Sequence, residues 1–291
     1  MKLKCKAKMY LRVFIFILSI GMYACLCNAF EGEKIILSNG SVLLKGSIVN
    51  NRMSELTTLL DSKKWAYVTW PSYNKRKNLI FVEGQNTDFG LDRFIFSLSV
   101  KPFGEKVTKI IKGSHPAVSM DGSFLSYYKH PNQLRLMHLK SSKDHLLASN
   151  CANYQPAVWI NNHILLYSDT ENKMKKIDTS TGLTENTGHD YVIPGTLSPK
   201  GDQVLCGNYD GTTIYMYTTE TNRISVILKS NIFSIGTIFV WSNNSRSFLY
   251  TKQSFSNLIR LNEMRSLFLY SPKGKETKLM NMFSLFGGNS F

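Results

Sequence analysis

The apolar and polar positions of the chain repeat five times between Ala66 and Leu279. Each copy contains a short apolar run, a polar turn, a longer apolar run, an alternating run, a second turn and a last run. The first runs begin at positions 66, 117, 157, 195 and 239. Four strands repeated about every 40 residues predict the blades of a β-propeller, because each blade has two apolar faces that only neighbouring blades can cover.

The turns between the first two strands of each unit support this prediction. A tight reversal needs residues that tolerate a positive φ. Such residues occur at Asp121-Gly122, Asn161-Asn162, Lys200-Gly201 and Asn243-Asn244. Because Asp-Gly in this setting is typical of a hairpin, we interpret Asp121 and Asp210 as turn residues and not as catalytic carboxylates.

Two further segments flank the five units. Glu33 to Val49 contains two apolar runs around an Asn-Gly turn, and Asn281 to Phe291 follows the last unit. Propellers often close their ring by combining strands from both ends of the chain, because the terminal blades otherwise leave open edges. We therefore predict an all-β propeller of six four-stranded blades, one of them shared by the two termini. Five and seven blades are the alternatives.

The N-terminus has the pattern of a secretory signal peptide. Residues 1–12 carry five positive charges and no acid, and an apolar stretch of signal-peptide length follows. The small residues Cys27-Asn28-Ala29 predict cleavage after Ala29, which leaves a single propeller domain over residues 30–291. The apolar stretch is shorter than the ~20 residues of a spanning helix. An uncleaved membrane anchor and lipoprotein processing at Cys25 or Cys27 are the alternatives.

Removal of this segment changes the charge and the cysteine content. The formal net charge falls from +15 to +10, because 30 of the 35 Lys and Arg then remain against 20 Asp and Glu. This excess suggests an anionic partner, but its dispersal over separate turns does not favour nucleic acid. The remaining Cys151 and Cys206 could form a disulfide or stay as buried thiols. No C-x-x-C spacing occurs, and we predict neither a metal nor a cofactor.

Two of the turns carry a motif of a known family. LSPKGDQVLC (Leu197 to Cys206) and VSMDGSFLSY (Val118 to Tyr127) resemble the W-S-P-D-G element of TolB-type, WD40-like propeller repeats, which is also found in the propellers of prolyl-oligopeptidase-type enzymes. The resemblance covers roughly Ala66 to Met280. It implies a β-propeller but is poorly specific for function. It also implies a periplasmic protein, with secretion or an N-terminal membrane anchor as alternatives.

Most groups expected of a propeller enzyme are missing from the sequence. There is no G-x-S-x-G nucleophile motif. The five predicted first strands contain no Asp or Glu, which argues against a pair of catalytic carboxylates facing the channel. His115 and His130 flank one unit, so a polysaccharide lyase that uses His and Arg is harder to exclude. These observations favour a non-enzymatic protein.

A binding surface needs no such groups. The connections into each first strand, and those between second and third strands, emerge at one end of a propeller, around the mouth of its channel; we call this end the top face. Aromatic side chains give large contact areas at a small entropic cost. The predicted binding residues on the top face are Trp65, Phe89, His115, His130, Tyr154, His189, Tyr191, Tyr209, Phe233, Phe255, Leu258 and Ile259. We expect about half of them to be accessible.

The sequence therefore predicts an exported, monomeric scaffold that binds a protein or an envelope component through its top face. The alternative is a carbohydrate-active enzyme, a glycoside hydrolase or polysaccharide lyase, or a glycan-binding propeller. Several inward-facing carboxylates or His and Arg groups around the channel would favour the alternative. An apolar and basic mouth would favour the scaffold.

Overall fold

A computed structural model describes most of the repeated region and parts of the N-terminal segment. The described residues are 25–30, 34–38, 43–49, 52–53, 56–60, 65–74, 76–86, 88, 92–100, 103–153, 156–230, 233–242, 245–254, 265–271 and 274–281. Within these ranges the chain forms 25 β-strands, which are grouped into six antiparallel sheets. The same residues contain no helix with the length and apolarity needed to cross a bilayer.

The N-terminal sheet comes first in the chain. It contains β1 (Cys25–Phe30), β2 (Lys34–Ser38), β3 (Leu43–Val49), β4 (Arg52–Met53) and β5 (Thr57–Thr58). The strands β1 to β4 pair in sequence order, and β5 pairs with β3. Strand β1 includes five residues that the predicted cleavage after Ala29 would remove, and this cleavage stays a prediction.

Five sheets of four strands follow, each with its strands in sequence order. Blade 1 contains β6 (Trp65–Asn74), β7 (Leu79–Asn86), β8 (Phe94–Val100) and β9 (Phe103–Lys112). Blade 2 contains β10 (Ser114–Val118), β11 (Phe124–Lys129), β12 (Gln133–His138) and β13 (Asp144–Ala148). Blade 3 contains β14 (Val158–Trp159), β15 (Ile164–Ser168), β16 (Lys173–Asp178) and β17 (Thr184–Asp190). Blade 4 contains β18 (Val192–Leu197), β19 (Gln203–Asn208), β20 (Thr213–Thr218) and β21 (Arg223–Lys229). Blade 5 contains β22 (Phe233–Trp241), β23 (Phe248–Ser254), β24 (Arg265–Tyr270) and β25 (Glu276–Asn281).

The innermost strands of the sheets form a circle. Strands β6, β10, β14, β18 and β22 contact one another in this order, and β1 contacts both β22 and β6. The prediction of an all-β propeller is therefore confirmed. In the described part of the chain the sixth sheet consists of N-terminal strands alone. The C-terminal strand expected in a shared blade would fall in residues 282–291, which lie outside the described residues.

Burial follows the position of each strand in its blade. The second strands β11, β15 and β19 are buried along most of their length, because each lies between two neighbouring blades. The fourth strands β13, β17 and β21 form the outer edges and are largely exposed. This explains why the longest apolar runs in the sequence are second strands, whereas the last strand of each unit is the least regular.

Hydrogen bonds join neighbouring blades close to the channel. The indole Nε1 of Trp159 in blade 3 donates to the carbonyl oxygen of Ala117 in blade 2 over 3.1 Å. Trp241 in blade 5 donates in the same way to Thr196 in blade 4, also over 3.1 Å. Both indoles are buried, so each bond satisfies polar groups that water does not reach.

Two of the four predicted hairpin turns contain a residue with positive φ, whereas Asn161 and Asn162 do not adopt it and Asn243-Asn244 lies outside the described residues. Gly122 and Gly201 have φ values of 72° and 81°. The carboxylate of Asp121 accepts the hydroxyl of Ser119 over 2.6 Å, and that of Asp210 accepts the backbone N–H of Thr212 over 2.9 Å. Both carboxylates therefore bond within their own turns.

The two cysteines left open by the sequence are free thiols. Cys151 and Cys206 are both buried and form no disulfide with each other. Burial raises the pKa of the Cys151 thiol to about 11 and raises that of Cys206 still further. Both are therefore protonated near neutral pH.

Candidate functional site

The predicted binding residues separate into buried and exposed groups. The Trp65 side chain is only 3% exposed and packs edge-on against Phe96, with 5.0 Å between the ring centroids. It also lies across Gly84, where an added Cβ would stand 2.6 Å from the indole ring. Trp65 is thus part of the core of blade 1, and a top-face partner would not contact it.

Tyr191 and Tyr209 are exposed on the top face of blade 4. Their residues are 63% and 57% exposed. Tyr191 immediately precedes β18 and Tyr209 immediately follows β19, two strands that pair at Val192 and Asn208. The backbone N–H of Tyr209 donates to the carbonyl of Tyr191 over 3.3 Å. The fold therefore brings two aromatic side chains to adjacent, accessible positions, which we call the tyrosine pair.

The predicted histidines occupy three different environments. His130 is exposed in the connection between β11 and β12. His189 is half-buried, and its Nε2 lies 2.7 Å from the carbonyl oxygen of Asn222, while its ring packs edge-on against Tyr217 at 6.0 Å. His189 thus bridges blades 3 and 4 along their outer strands and is not grouped with the tyrosine pair. His115 is largely but not completely buried at the junction of blades 1 and 2.

The other predicted binding residues cannot be located in the same way. Phe89, Tyr154, Phe255, Leu258 and Ile259 lie outside the described residues. Phe233 begins β22, and only its backbone is described. Their contribution to the top face stays a prediction.

A charged cluster surrounds His115. Oε2 of Glu83, on β7, accepts the backbone N–H of His115 over 3.1 Å and lies 3.7 Å from its Nδ1. Oε1 of the same carboxylate is 3.5 Å from a guanidinium nitrogen of Arg93, which precedes β8. The Glu83 side chain is 1% exposed and that of His115 is 13% exposed, whereas that of Arg93 is 61% exposed. The Glu83 carboxylate is thus closed to solvent, and Arg93 is the most exposed of the three groups.

Backbone strain accompanies this cluster. Trp70 and His115 have φ values of 49° and 52°, a region that bulky side chains rarely occupy. Their rings lie against each other with 4.8 Å between centroids. Nδ1 of His115, Oε1 of Glu83 and the hydroxyl of Thr69 are buried without a hydrogen-bond partner among the described residues. Strained backbone conformations and buried polar atoms without partners are typical of functional sites.

The protonation states in the cluster follow from burial. Burial, reinforced by the positive charge of Arg93, lowers the pKa of His115 to about 3, so its imidazole is neutral at physiological pH. Burial raises the pKa of Glu83, although the backbone N–H of His115 and the charge of Arg93 oppose this shift. The cluster therefore holds a neutral imidazole and a carboxyl group that pairs with the exposed Arg93 guanidinium.

Sequence reasoning found His115 and missed Glu83 and Arg93. Glu83 lies within LIFVEGQN, the apolar run of a predicted second strand. A charged residue inside such a run should be paired, because burying an isolated charge is costly. That signal was present in the sequence, but only the fold brings Arg93 and His115 to the carboxylate.

A shallow pocket lies on the top face near the tyrosine pair. It has room for about one water molecule, and its wall is apolar with two tyrosines. The residues that line it are Tyr128, Ala152, Pro156, Tyr167, Ser168, Ile193 and Pro194. Ile193 follows Tyr191 by two residues, and the ring of Tyr128 packs edge-on against His115 at 6.0 Å. The pocket therefore lies between the tyrosine pair and the charged cluster.

No metal centre is present in the part of the chain that the structure describes. These residues include no group of three or more His, Cys, Asp or Glu positioned to share an ion.

Comparison with known proteins identifies the architecture. No protein-family model and no curated protein sequence match the chain. Solved structures do match: a chain in the crystal structure of a Nidogen/Laminin complex has a TM-score of 0.65 at 10% identity, over 84% of this chain and 92% of that one. A putative TolB from Agrobacterium tumefaciens has a TM-score of 0.60 at 11% identity, over 78% and 84%. An oligogalacturonate lyase from Vibrio parahaemolyticus has a TM-score of 0.52 at 10% identity, over 83% and 85%.

These similarities are to the fold. They confirm that the chain has the architecture shared by TolB-like propellers, as the W-S-P-D-G resemblance implied. At such low identity they do not transfer the activity of any of the three proteins.

Proposed function

We propose that this protein is an exported, non-enzymatic β-propeller that binds a protein, or another component of the cell envelope, at its top face. A periplasmic location fits the predicted signal peptide and the similarity to TolB-like propellers. The single observation that supports the proposal best is the tyrosine pair, Tyr191 and Tyr209, exposed beside the pocket.

The tyrosine pair has the properties of an interface centre. Tyrosine combines a large apolar ring with a hydroxyl and loses little entropy when it is fixed by a partner. The two tyrosines lie at the ends of paired strands, so their backbones are held before a partner arrives. Pre-organisation of this kind lowers the cost of binding. The adjoining pocket, lined by Ile193, Pro194 and Tyr128, has room only for about one water molecule, so the contact area comes from the two tyrosines.

The structural similarities fit a binding role. The chain with the TM-score of 0.65 belongs to a structure of a complex between two proteins, Nidogen and Laminin. It is an example of this architecture in a protein–protein complex, although it does not identify the partner of this chain.

The test is capture of a partner that depends on the tyrosine pair. The full chain, tagged at its C-terminus and expressed with its own N-terminus in a Gram-negative host, would be cross-linked in intact cells and purified. We expect the Tyr191→Ser/Tyr209→Ser variant to recover at least about tenfold less of any specific partner, because central aromatic residues dominate interface energies.

A matched control distinguishes binding at the top face from nonspecific binding to exposed apolar surface. Leu183 and Val226 are 70% and 59% exposed on the outer edges of blades 3 and 4. The Leu183→Ser/Val226→Ser variant removes a similar exposed apolar area and should leave recovery unchanged. Equal recovery by the tyrosine variant and the wild type would contradict the proposed binding face.

A second candidate function rests on the charged cluster. Arg93 is exposed on the top face, with the buried Glu83 and His115 behind it, and an acidic sugar could pair with its guanidinium. An oligogalacturonate lyase has the same fold. Incubation of the purified protein with oligogalacturonate would reveal lyase activity as rising ultraviolet absorbance of the unsaturated product. If the wild type turns over oligogalacturonate, Arg93→Ala does not, and no protein partner is captured in cells, the enzymatic function would replace the binding function as the first proposal.

A further inference from the structure

The charge of the chain is distributed unevenly around the ring. Residues 151–190, which contain blade 3, carry three lysines and five acids, a difference of −2. Without residues 1–29 the chain carries +10, so the other residues of the predicted mature chain carry +12, since 10 minus −2 is 12. The acids of this segment are Asp169, Glu171, Asp178, Glu185 and Asp190. Blade 3 is therefore an acidic sector in a strongly basic protein.

The tyrosine pair lies at the border of this sector, and each tyrosine has an acidic neighbour in the sequence. Asp190 precedes Tyr191, and Asp210 follows Tyr209. Both aspartates are exposed. The backbone N–H of Tyr191 donates to the carbonyl oxygen of Asn172 over 2.7 Å, which holds the tyrosine against the β15–β16 turn of blade 3. Two exposed rings and two exposed carboxylates thus share one small area of the top face.

The positive groups near this area are partly neutralised. Lys173 Nζ lies 2.6 Å from a carboxylate oxygen of Glu171, and Lys175 Nζ lies 2.8 Å from one of Asp169. The charge of Asp190 also helps to raise the pKa of Lys173, and the charge of Lys229 helps to lower the pKa of Asp210. The hydroxyl and backbone N–H of Thr212 lower the pKa of Asp210, which keeps it ionised at neutral pH. Three lysines therefore face four carboxylates in this area, which keeps an excess of negative charge.

We infer that the tyrosine pair, with Asp190 and Asp210, binds a cationic segment of the partner, one that carries lysine or arginine side chains. Aromatic faces attract ammonium and guanidinium groups, and carboxylates beside them add direct ion pairs. The protein already uses such contacts internally, since the Arg93 guanidinium lies 4.9 Å from the centre of the Tyr67 ring. This inference rests on the proposed function and specifies the chemistry of the partner.

The inference differs from the expectation based on net charge. An overall excess of positive charge suggests an anionic partner, but a partner segment meets the local field of the surface it contacts. The positive charge on the rest of the ring would repel a basic segment elsewhere and so direct it towards blades 3 and 4. Binding at this border should therefore be selective in position as well as in charge.

The test compares two fluorescent nonapeptides on the full-length protein. One contains alternating arginine and glycine with a central leucine, and in the other every arginine is replaced by glutamate. Fluorescence anisotropy should give at least about tenfold tighter binding of the basic peptide, with affinity that falls as salt increases. The Tyr191→Ser/Tyr209→Ser variant should lose this preference. Equal or tighter binding of the acidic peptide would overturn the inference.

A pair of charge variants controls for net charge. Asp190→Asn/Asp210→Asn should weaken binding of the basic peptide about fivefold or more and reduce its salt dependence. Asp202→Asn/Glu220→Gln makes the same change in net charge in the β18–β19 and β20–β21 turns, at the opposite end of blade 4, and should have little effect. An equal loss in both variants would show that the peptide responds to overall charge and would refute a local site.

The outcomes also separate the inference from the proposed function. If a cellular partner is captured through the tyrosine pair and the acidic peptide displaces it, the binding function stands and the cationic segment is wrong. If the basic peptide binds through the tyrosine pair but cross-linking in cells recovers no partner, the site chemistry stands and the proposed cellular role fails.

Discussion

Glu83 accepts the backbone N–H of His115 across the junction of blades 1 and 2, over 3.1 Å. One blade therefore supplies a buried carboxylate, and the next supplies both the N–H and the neutral imidazole beside it. Because few groups at this junction reach water, protonation of either residue changes the balance of charge inside the protein. The junction should thus respond to acid more strongly than an exposed ion pair would.

The first prediction concerns stability in acid. The pKa of His115 is lowered from 6.5 to about 3 in the folded protein. Between these values the unfolded chain binds a proton that the folded chain does not. The free energy of unfolding should therefore decrease as the pH falls from about 6.5, by up to about 1.4 kcal/mol per pH unit from this residue. Urea unfolding followed by tryptophan fluorescence from about pH 7 to about pH 4 measures the slope.

Two variants identify the residues responsible for that slope. Asparagine tolerates positive φ, so His115→Asn keeps the backbone conformation while removing the titrating group, and it should flatten the dependence. Glu83 has the opposite effect on the free energy of unfolding. Because its pKa is raised in the folded protein, the folded state binds a proton at a higher pH than the unfolded state does, and this opposes the loss of stability in acid. Glu83→Gln should accordingly steepen the loss of stability in acid. If the free energy of unfolding of His115→Asn depends on pH as steeply as that of the wild type, groups other than His115 cause the acid sensitivity.

The second prediction concerns the indole bonds between blades. Trp241→Phe keeps an aromatic ring in the interface but removes the donor to the carbonyl of Thr196. The free energy of unfolding should fall by about 1–3 kcal/mol, because a buried polar group loses its partner. Trp159→Phe removes the equivalent bond to Ala117 and should lower the free energy of unfolding by a similar amount. Tyr191→Phe on the exposed top face is the control and should change stability by less than about 0.5 kcal/mol.

The third prediction concerns a close approach between blades 4 and 5. A Cβ added at Gly195 would lie 2.6 Å from the Phe239 ring and 2.8 Å from the carbonyl oxygen of Leu205. Gly195→Ala should destabilise the protein by at least about 1–3 kcal/mol, since neither neighbour has room to move in a packed interface. Denaturant unfolding measures the change.

Gly182 provides the contrast for that substitution. Its added Cβ would meet nothing within 4 Å, but its φ is +75°, so Gly182→Ala tests conformational strain without a steric clash. A cost of about 1 kcal/mol is expected there. If Gly195→Ala cost no more than Gly182→Ala, the contact with Phe239 would be too loose to matter.

The fold could be predicted because its pattern is local. The first strands were expected to begin at Ala66, Ala117, Ala157, Gly195 and Phe239, and they begin at Trp65, Ser114, Val158, Val192 and Phe233. The largest difference is six residues at β22, followed by three residues at β10 and β18, and each of these strands begins before a register shift in its pairing with the second strand. Apolar periodicity does not detect the residues before such a shift, because tertiary contacts determine their conformation.

The site could be predicted only in part, because exposure depends on contacts with other strands. Trp65 begins β6 and Tyr191 immediately precedes β18, yet Tyr191 is exposed and Trp65 packs across Gly84. His189 lies close to Tyr191 in the sequence but packs against Tyr217 of the next blade. Nothing local distinguishes these outcomes, since each depends on the size of a residue in another strand.

The last prediction concerns the thiols. Cys151 and Cys206 are buried, and their raised pKa values leave little thiolate to react near neutral pH. Iodoacetamide should therefore label neither residue in the native protein and both after denaturation, as read by mass spectrometry of the two peptides without prior reduction. Labelling of Cys151 in the native state would show that the β13–β14 connection opens on the timescale of the reaction. Failure to label either residue after denaturation would instead reveal a disulfide. The assignment of Cys151 and Cys206 as two separate free thiols would then be wrong.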